Sequence, residues 1–541
     1  MRRDVLFLIL GWTLIAFTLP LVICGIITVI IDGFQIGFWA FGPAALISLG
    51  LGTSLVFFLT RTDSSDRLRD VEAFVGVGLV WPISVLIGAL PFWLGGVFIG
   101  PFTSGAEISE MMTGFVHSWF ESMSGFTTTG ATVIHASSSP MCDTTTVDCI
   151  NAQHRGLLIW RSLTQWFGGM GIIMLGMMLL SRVLGGGMAL ARAELTGPSL
   201  SRLKPKLRQT ATALWGLYLS LTVLEFLLLF FVGQMGWFDA LNHALTTLPT
   251  GGFSTHDASI GFYDSVRIEA IITIFMFLAG VNFTLLWFCR KGNISLLWKD
   301  EEFRYYAFYI IIALVLISIT LVNTDHHWGD SIRDGLFQVV SIATSTGYAS
   351  ANYMDWPVVT HVVFFILMII GASAGSTGGG LKLLRVSLAF KIAMRELRRI
   401  AQPRKIDRIR MNDEVVEDRQ LGLIVGMLFV WVILFGGSSI LLAIMMPDAS
   451  FESIVSLVAS SLGNTGPALD AYGPANTWVG MNNSGLILTS ILMWFGRLEL
   501  LTAVIVLHPH TWRREEKSEG EVQGLAVVKR ILNEKDEADS K

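Results

Sequence analysis

Long apolar runs separated by short polar segments make up most of this chain. A helix crosses the roughly 30 Å of membrane hydrocarbon with about 20 apolar residues, and runs of that length recur along the whole sequence. The runs are too long and too uniformly apolar for barrel strands, and backbone groups in hydrocarbon must be hydrogen-bonded internally. The pattern therefore predicts an all-α integral membrane protein.

After the first two long runs, shorter apolar segments appear, each followed by a polar turn. This order predicts an N-terminal helix hairpin and four pseudo-repeated modules, each with an outer helix, a short helix, a turn and a return helix. The hairpin is predicted to contain a helix that ends near Ile31 and a helix over Phe38–Leu59. The outer, short and return helices of the modules are predicted at Val71–Ile99, Met111–Phe126 and Gly156–Val183; at Ala211–Val232, Phe238–Leu248 and Val266–Phe288; at Ala307–Val322, Ile332–Ala343 and Val358 to about Met394; and at Leu421–Met446, Phe451–Leu462 and Gly485–Leu507. The predicted domains are residues 1–66 for the hairpin, 67–205, 206–300, 301–415 and 416–510 for the modules, and 511–541 for a tail.

The four polar turns share a glycine that follows small or hydroxyl-bearing residues. The first, Phe-Thr-Thr-Thr-Gly-Ala-Thr at 126–132, is the clearest, and the other three are degenerate copies. Their glycines lie 122, 95 and 119 residues apart, a period too long for a solenoid repeat. A short helix and a polar turn at membrane depth are tolerated where they line a cavity. The pattern therefore predicts four re-entrant loops around one pore.

A ring of such turns could bind a cation that has lost its water. Backbone carbonyls supply neutral oxygen ligands, and glycine permits the backbone angles that aim them inward. The predicted ligand residues are Thr128, Thr129, Gly130, Gly251, Gly252, Thr346, Gly347, Thr465 and Gly466. A single turn of this kind could instead be a helix that ends in a capping glycine. Four copies, each after a short apolar helix, favour the ring over this alternative.

A glycine-dense segment interrupts the longest apolar stretch of the chain. Residues 371–380 contain five glycines, enough to break a helix. The segment lacks the ending and the preceding strand of a phosphate loop, so nucleotide binding is rejected. A small-residue packing face is the alternative to a flexible intramembrane gate. The predicted gate residues are Gly371, Gly375, Ser376, Thr377, Gly378, Gly379, Gly380 and Lys382.

Arg497 lies within the last apolar run. An ionisable residue at membrane depth is a candidate functional residue, here a pore cation that would set a barrier to passing cations. The alternative is an internal ion pair with Glu499 or Glu225. Residues two apart do not face each other on a helix, which weakens the pairing with Glu499.

Composition and charge narrow the class of protein. The chain is 52% hydrophobic and 15% charged, which excludes an ordinary soluble domain. Lys and Arg concentrate in segments 182–208, 290–304 and 395–410 and at the start of the charged tail, so these segments and both termini are predicted to be cytoplasmic. The tail is expected to be mobile or bound to a partner. Cys142 and Cys149 share an external loop, where a disulfide is an open question.

The motifs resemble the TrkH/TrkG branch of the Trk/Ktr/HKT superfamily of potassium transporters over about residues 5–510. They are the first turn, Thr-Gly-Gly-Phe-Ser at 250–254, Thr-Ser-Thr-Gly-Tyr at 344–348, Gly-Asn-Thr-Gly-Pro at 463–467, the loop 371–382 and Gly-Arg-Leu-Glu at 496–499. The resemblance implies that Gly130, Gly252, Gly347 and Gly466 form a potassium filter, that 371–380 is its gate, and that Arg497 is the pore cation. It implies a multi-pass subunit of the bacterial inner membrane, with K⁺ as the transported ion and no covalently bound cofactor. It also implies a homodimer with one pore per subunit that works with a cytosolic ring of TrkA-type subunits. Those partners carry the NAD(H) or adenine nucleotide.

Several functions remain open beside channel-like K⁺ uptake. A Na⁺- or H⁺-coupled K⁺ symporter would have the same architecture. A broken-helix carrier for organic solutes would use inverted repeats, whereas these modules all run in one direction. An enzyme is not expected, because paired acids, His clusters and nucleophile motifs are missing from the sequence, and nothing predicts nucleic-acid binding.

Overall fold

The computed structural model of the chain describes residues 3–58, 70–143, 145–171, 207–324, 327–404, 407–412, 414–498, 506 and 508–512. Several predicted features lie outside these residues: the loop 61–69, most of the basic loop 182–208, Glu499 and the tail after residue 512.

The N-terminal hairpin is confirmed. Helices α1 (Arg3–Asp32) and α2 (Phe34–Phe58) are joined by Gly33, whose φ of 101° allows the chain to reverse at a single residue. The two helices approach closely, since a Cβ on Gly37 would collide with Val29. Small residues of this kind permit helix packing without a large apolar interface.

The remaining elements follow in chain order. They are α3 (Asp70–Leu94), α4 (Ile108–Phe126), α5 (Arg155–Met170), α6 (Leu207–Phe231), α7 (Trp237–Thr247), α8 (Val266–Ala279), α9 (Phe283–Arg290), α10 (Ser295–Lys299), α11 (Glu301–Val322), α12 (Trp328–Ala343), α13 (Val358–Ile370), α14 (Leu383–Ala401), β1 (Arg410–Met411), β2 (Glu414–Val415), α15 (Asp418–Met445), α16 (Phe451–Gly463), α17 (Asn483–Arg497) and α18 (Pro509–Trp512). Short 3₁₀ turns lie at Ser259–Tyr263, Tyr353–Asp355, Asp470–Tyr472 and Trp478–Gly480. β1 and β2 form an antiparallel pair.

Six of the described helices are long and apolar enough to cross a membrane: α1, α2, α3, α6, α11 and α15. The outer helices α6, α11 and α15 expose many large apolar side chains, which suits contact with lipid tails. The short helices α4, α7, α12 and α16 are instead mostly buried. The chain is therefore a multi-pass membrane protein with its short helices at the centre.

The four return helices close the modules into one assembly. Each packs against the short helix of its own module and that of the next: α5 on α4 and α7, α8 on α7 and α12, α13 on α12 and α16, and α17 on α16 and α4. The contact between α17 and α4 joins the last module to the first. The predicted all-α architecture of four modules around one axis is confirmed, while the exact domain boundaries stay predictions.

The return helices are shorter than predicted. The helix expected over Val266–Phe288 is wrong, because the chain bends by 108° between α8 and α9. Gly280 stands at this bend, where a Cβ would collide with the hydroxyl of Tyr306, and the side chain of Asn282 caps α9 by accepting the N–H of Thr284 at 2.8 Å. The helices predicted over Gly156–Val183 and Gly485–Leu507 are described as far as Met170 and Arg497, and most of their predicted remainders lie outside the described residues.

Candidate ion-conduction site

Each of the four turns ends its short helix with the same pair of hydrogen bonds. In the first turn, Thr128 N–H donates to the carbonyl of Gly125, and Thr129 N–H donates to that of Ser124, both at 2.9 Å. This pair is the Schellman motif of helix C-termini. The equivalent pairs are Thr250 to Thr247 and Gly251 to Thr246, Ser345 to Ile342 and Thr346 to Ser341, and Asn464 to Ser461 and Thr465 to Ser460. Four segments of unlike sequence therefore share one backbone structure.

The residue with left-handed backbone in each Schellman motif lies two positions before the glycine. Thr128, Thr250, Ser345 and Asn464 are left-handed, with φ of 54°, 57°, 57° and 51°. The alternative that the glycines are the helix caps is therefore not supported. Left-handed backbone is strained for threonine, and strain of this kind concentrates at functional sites.

The glycines bring the turns together in a closed ring, defined here as residues 128–130, 250–252, 345–347 and 464–466. Each ring glycine has a positive φ, between 76° and 99°. A Cβ on Gly130 would collide with the carbonyl of Gly251, and the same holds for Gly252 with Thr346, Gly347 with Thr465 and Gly466 with Thr129. Glycine is therefore required at each position for two reasons: the backbone φ is positive, and the neighbouring carbonyl leaves no space for a Cβ.

The ring forms the floor of a cavity of about 730 Å³, called the outer cavity below. All four ring glycines line it, together with residues that follow them in each turn, such as Thr132, Ser254, Ala349 and Pro467. The nine residues predicted as cation ligands thus lie in or beside one ring at the end of one cavity.

The ring offers neutral oxygen atoms and a favourable field for a cation. The four short helices end at the ring, and helix C-termini carry partial negative charge. The buried hydroxyls of Thr128 and Thr465 have no hydrogen-bond partner within the described residues. The lone pairs of these two hydroxyl oxygens are therefore not used within the described part of the chain, and hydroxyl oxygens are suitable ligands for a cation.

A buried ion pair behind the ring was missed by sequence reasoning. Arg161 on α5 donates from Nε to Glu121 on α4 at 2.7 Å and from Nη1 to the carbonyl of Ser254 at 2.9 Å, and both charged side chains are almost fully buried. Glu121 also accepts the Thr132 hydroxyl and the Val133 N–H. The pair therefore joins the chain leaving the first turn to the chain leaving the second. The rule that singled out Arg497, an ionisable residue in an apolar segment, would have found both residues.

Two loops that are hydrogen-bonded to each other contribute to the wall of the outer cavity. Cys142 and Cys149 form a disulfide, which answers the question left open by the sequence. The carboxylate of Asp257 accepts the N–H groups of Cys149 and Ile150, both at 2.9 Å. The disulfide loop is thereby held against the loop that follows the second turn.

A histidine in this wall lies between two carboxylates. His256 Nδ1 is 2.6 Å from an oxygen of Asp148, its Nε2 is 3.8 Å from Asp239, and its ring stacks on Phe262. Burial lowers the pKa of the imidazole, but the hydrogen bonds and charges of the two aspartates outweigh this and raise the pKa to about 9. His256 is therefore an imidazolium at neutral pH.

Stability is expected to depend on pH through His256. A raised folded-state pKa means that the imidazolium stabilises the fold fully below about pH 6.5, the ordinary histidine pKa. That contribution is lost as the pH rises through about 9. The measurement is the melting temperature of the purified protein against pH, with His256→Gln as reference. The difference between the two proteins should shrink between pH 7 and pH 10, and a constant difference would contradict the assignment.

The glycine-dense loop lies on the opposite side of the ring from the outer cavity. α13 ends at Ile370 and α14 begins at Leu383, so the predicted helix break is confirmed. Thr377 Oγ1 donates to the carbonyl of Leu248 at 2.9 Å, and Gly379 N–H donates to Ser345 Oγ at 2.6 Å. The loop therefore touches the residues that enter the second and third turns.

The loop is folded tightly on itself. Gly371, Gly375 and Gly380 have φ of 73°, 74° and 79°, and a Cβ on Gly371 would collide with the carbonyl of Gly379. Ser376 Oγ donates to the carbonyl of Ser373 at 2.5 Å, and Lys382 Nζ donates to that of Gly378. A packing face of small residues on a continuous helix is thus excluded for this segment.

Arg497 connects this loop to the first module. Its guanidinium donates to the carbonyl of Thr377 at 2.9 Å and to those of Gly168 and Gly169 at the end of α5. Gly168 packs against the carbonyl of Phe126, directly before the first turn. Of the two alternative ion-pair partners, Glu225 makes no hydrogen bond within the described residues, and Glu499 lies outside them.

A family model, curated sequences and a solved structure all relate this chain to TrkH proteins. Residues 92–512 match the TrkH family model, which is described as a cation transport protein. The chain is 33% identical to the Trk system potassium uptake protein TrkH of Halomonas elongata over 94% of this chain and 98% of that protein. It is 34% identical to the protein of the same name from Escherichia coli over 93% of this chain and 98% of the relative. The crystal structure of the potassium transporter TrkH from Vibrio parahaemolyticus superposes with a TM-score of 0.79 at 29% identity, covering 95% of this chain and 100% of that one.

Proposed function

This chain belongs to the TrkH family of cation transport proteins, and from that premise we propose that it takes up K⁺ across the membrane through the ring. The observation that carries the proposal is the closure of four Schellman turns into one ring at the floor of the outer cavity. A ring of neutral oxygens replaces the water of a cation without binding it too tightly to release it. Its ligand groups are those of Thr128, Thr129, Gly130, Gly251, Gly252, Thr346, Gly347, Thr465 and Gly466.

The loop 371–382 is the gate in this proposal. It lies directly under the ring, and its contacts with Leu248 and Ser345 connect its position to the turns themselves. Arg497 holds the loop through Thr377 and places a positive charge below the ring. Passing cations would therefore meet both a steric and an electrostatic barrier while the loop is in this position.

The cellular setting of the proposal follows from the family. We expect a homodimer in the bacterial inner membrane, with one pore per subunit and both termini in the cytoplasm. A cytosolic TrkA-type ring would bind the nucleotide and act on the gate. K⁺ is the transported ion, and this chain itself needs no nucleotide.

The first test is rubidium tracer uptake into proteoliposomes that contain the chain with its cytosolic partner. Uptake that K⁺ blocks and Na⁺ does not would support a K⁺-selective pore. Equal competition by Na⁺ would contradict it. A proton or sodium gradient imposed at zero membrane potential then separates passive flux from symport, since only a symporter would accumulate rubidium against its own concentration gradient under that condition.

Replacing Arg497 with glutamine is expected to raise rubidium flux roughly tenfold or more. The substitution removes charged hydrogen bonds worth about 1.5–3 kcal/mol, and this loss would shift the equilibrium between the closed and open gate toward the open state by about tenfold or more. Arg497→Lys keeps the charge and serves as the control with flux near the original. Lower flux in Arg497→Gln, at an unchanged melting temperature, would show that Arg497 supports conduction instead of limiting it.

A further inference from the structure

The second turn differs from the other three at the residue before the ring glycine. That residue is Thr129, Thr346 or Thr465 in the first, third and fourth turns, and it is Gly251 in the second. The second turn therefore has two consecutive glycines, Gly251 and Gly252. Glycine loses more conformational freedom on folding than any other residue, so this turn is intrinsically the least constrained of the four.

A side chain from another module occupies the place of the missing threonine. A Cβ on Gly251 would collide with the side-chain amide of Gln165, which lies on α5 and is fully buried. Gln165 belongs to the return helix of the first module, and that helix packs against the short helix α7 that leads into the second turn.

The amide of Gln165 holds both peptide groups that flank Gly252. Its Nε2 donates to the carbonyl of Gly251 at 2.6 Å, and its Oε1 accepts the N–H of Phe253 at 3.1 Å. A carboxamide is well suited to this contact, because it offers one donor and one acceptor in a plane. The Gly251 carbonyl is also the one that lies against Gly130 in the ring.

Thr129 and Thr346 are held differently, whereas the Thr465 hydroxyl has no hydrogen-bond partner within the described residues. Thr129 Oγ1 lies 2.8 Å from Thr127 Oγ1 and accepts from Asn464 Nδ2 at 3.1 Å, and Thr346 Oγ1 lies 2.8 Å from Thr344 Oγ1. These hydroxyl pairs lie within a single turn. The second turn, which lacks the hydroxyl, depends on a residue 86 positions earlier in the chain.

We propose that Gln165 is a positioning residue that sets the selection of K⁺ over Na⁺ by holding the Gly251 carbonyl and the Gly252–Phe253 peptide in place. The proposal rests on the function proposed above. Without the amide, the double-glycine turn can rotate its peptides, and the ring loses the fixed oxygen positions at one of its four sides. A ring that adapts to the smaller Na⁺ discriminates less against it.

The test compares four variants by K⁺ and Na⁺ competition against rubidium uptake and by melting temperature. Gln165→Leu should reduce the K⁺ preference about tenfold, because it leaves a buried carbonyl and a buried N–H without their partner. Gln338→Leu is the matched control: Gln338 is also fully buried beside a turn, but its amide lies next to Ser350 and Ala351, outside the ring. This control should keep the preference of the original protein.

The other two variants test whether a threonine at position 251 can replace the support that Gln165 gives to the second turn. Gly251→Thr alone should impair uptake, since its side chain collides with Gln165. Adding Gln165→Ala removes the collision and gives the second turn the threonine of its counterparts, so the double variant should recover most of the K⁺ preference. Recovery by the double variant cannot come from a fold that is merely destabilised.

Two results would overturn the inference: an unchanged K⁺ preference in Gln165→Leu, or a double variant no better than Gly251→Thr. Failure of the proposed function would look different. In that case the original protein itself would show no preference for K⁺, and the proposed role of Gln165 would be refuted together with the proposed function.

Discussion

Gly130→Ser is expected to lower the preference for K⁺ over Na⁺ by about tenfold or more. The substitution puts a Cβ where the Gly251 carbonyl lies, and it places a serine at a φ of 86°. Strained left-handed backbone costs about 1–3 kcal/mol, and displacement of a ring carbonyl adds to that cost. Roughly 1.4 kcal/mol corresponds to a factor of ten, so a cost of this size that falls mainly on K⁺ binding lowers the K⁺ to Na⁺ ratio by about that factor.

The measurement is the ratio of the K⁺ and Na⁺ concentrations that halve rubidium uptake. Gly216→Ser is the matched control, because Gly216 lies exposed on the spanning helix α6 and a Cβ there meets nothing within 4 Å. A ratio unaffected by Gly130→Ser in a protein with normal melting temperature would refute the assignment of the ring as the filter.

Arg161→Met is expected to destabilise the protein by about 3–5 kcal/mol, the usual cost of leaving one member of a buried ion pair without its partner. Glu121 would remain fully buried with its charge, and the Ser254 carbonyl would lose its donor. Methionine fills a similar volume, so the effect should come from charge and hydrogen bonding and not from a cavity. The free energy of unfolding can be measured in mixed micelles by tryptophan fluorescence.

The double variant Arg161→Met with Glu121→Gln should recover much of this loss, because it removes both charges together. Arg399→Met is the control, since Arg399 forms a 3.1 Å pair with Glu396 in which both side chains are about half exposed. Exposed pairs contribute about 1 kcal/mol or less. Equal losses in Arg161→Met and Arg399→Met would show that the buried pair does not support the fold.

Features that depend on local sequence could be predicted. Apolar runs of sufficient length predicted the spanning helices, because the hydrocarbon thickness sets their length. The polar turns after short apolar segments predicted the re-entrant loops, and the density of glycine predicted the break between α13 and α14. In each case the cause lies within about ten consecutive residues.

Other features could not be predicted because their cause lies far away in the chain. The bend after Ala279 follows from the packing of Gly280 against Tyr306 and from the Asn282 cap, and neither changes the apolar pattern that indicated a continuous helix. Arg161 and Glu121 could each be singled out as ionisable residues in apolar segments, but nothing local shows that the two side chains meet across 40 residues of the chain. The disulfide between Cys142 and Cys149 is a different case: the two cysteines are seven residues apart, but that spacing alone does not show whether their sulfur atoms meet.

The sequence by itself determined the class of protein, the four-module order, the glycine turns and the glycine-dense break at 371–380, because helix length, turn chemistry and glycine angles are local properties. Only the tertiary structure decided which carbonyl lies against which glycine and which side chain supports each turn. Asn464 donates to Thr129 across 335 residues, and Gln165 holds a turn that belongs to another module. Such contacts depend on how four similar modules pack around one axis, and no single segment carries that information.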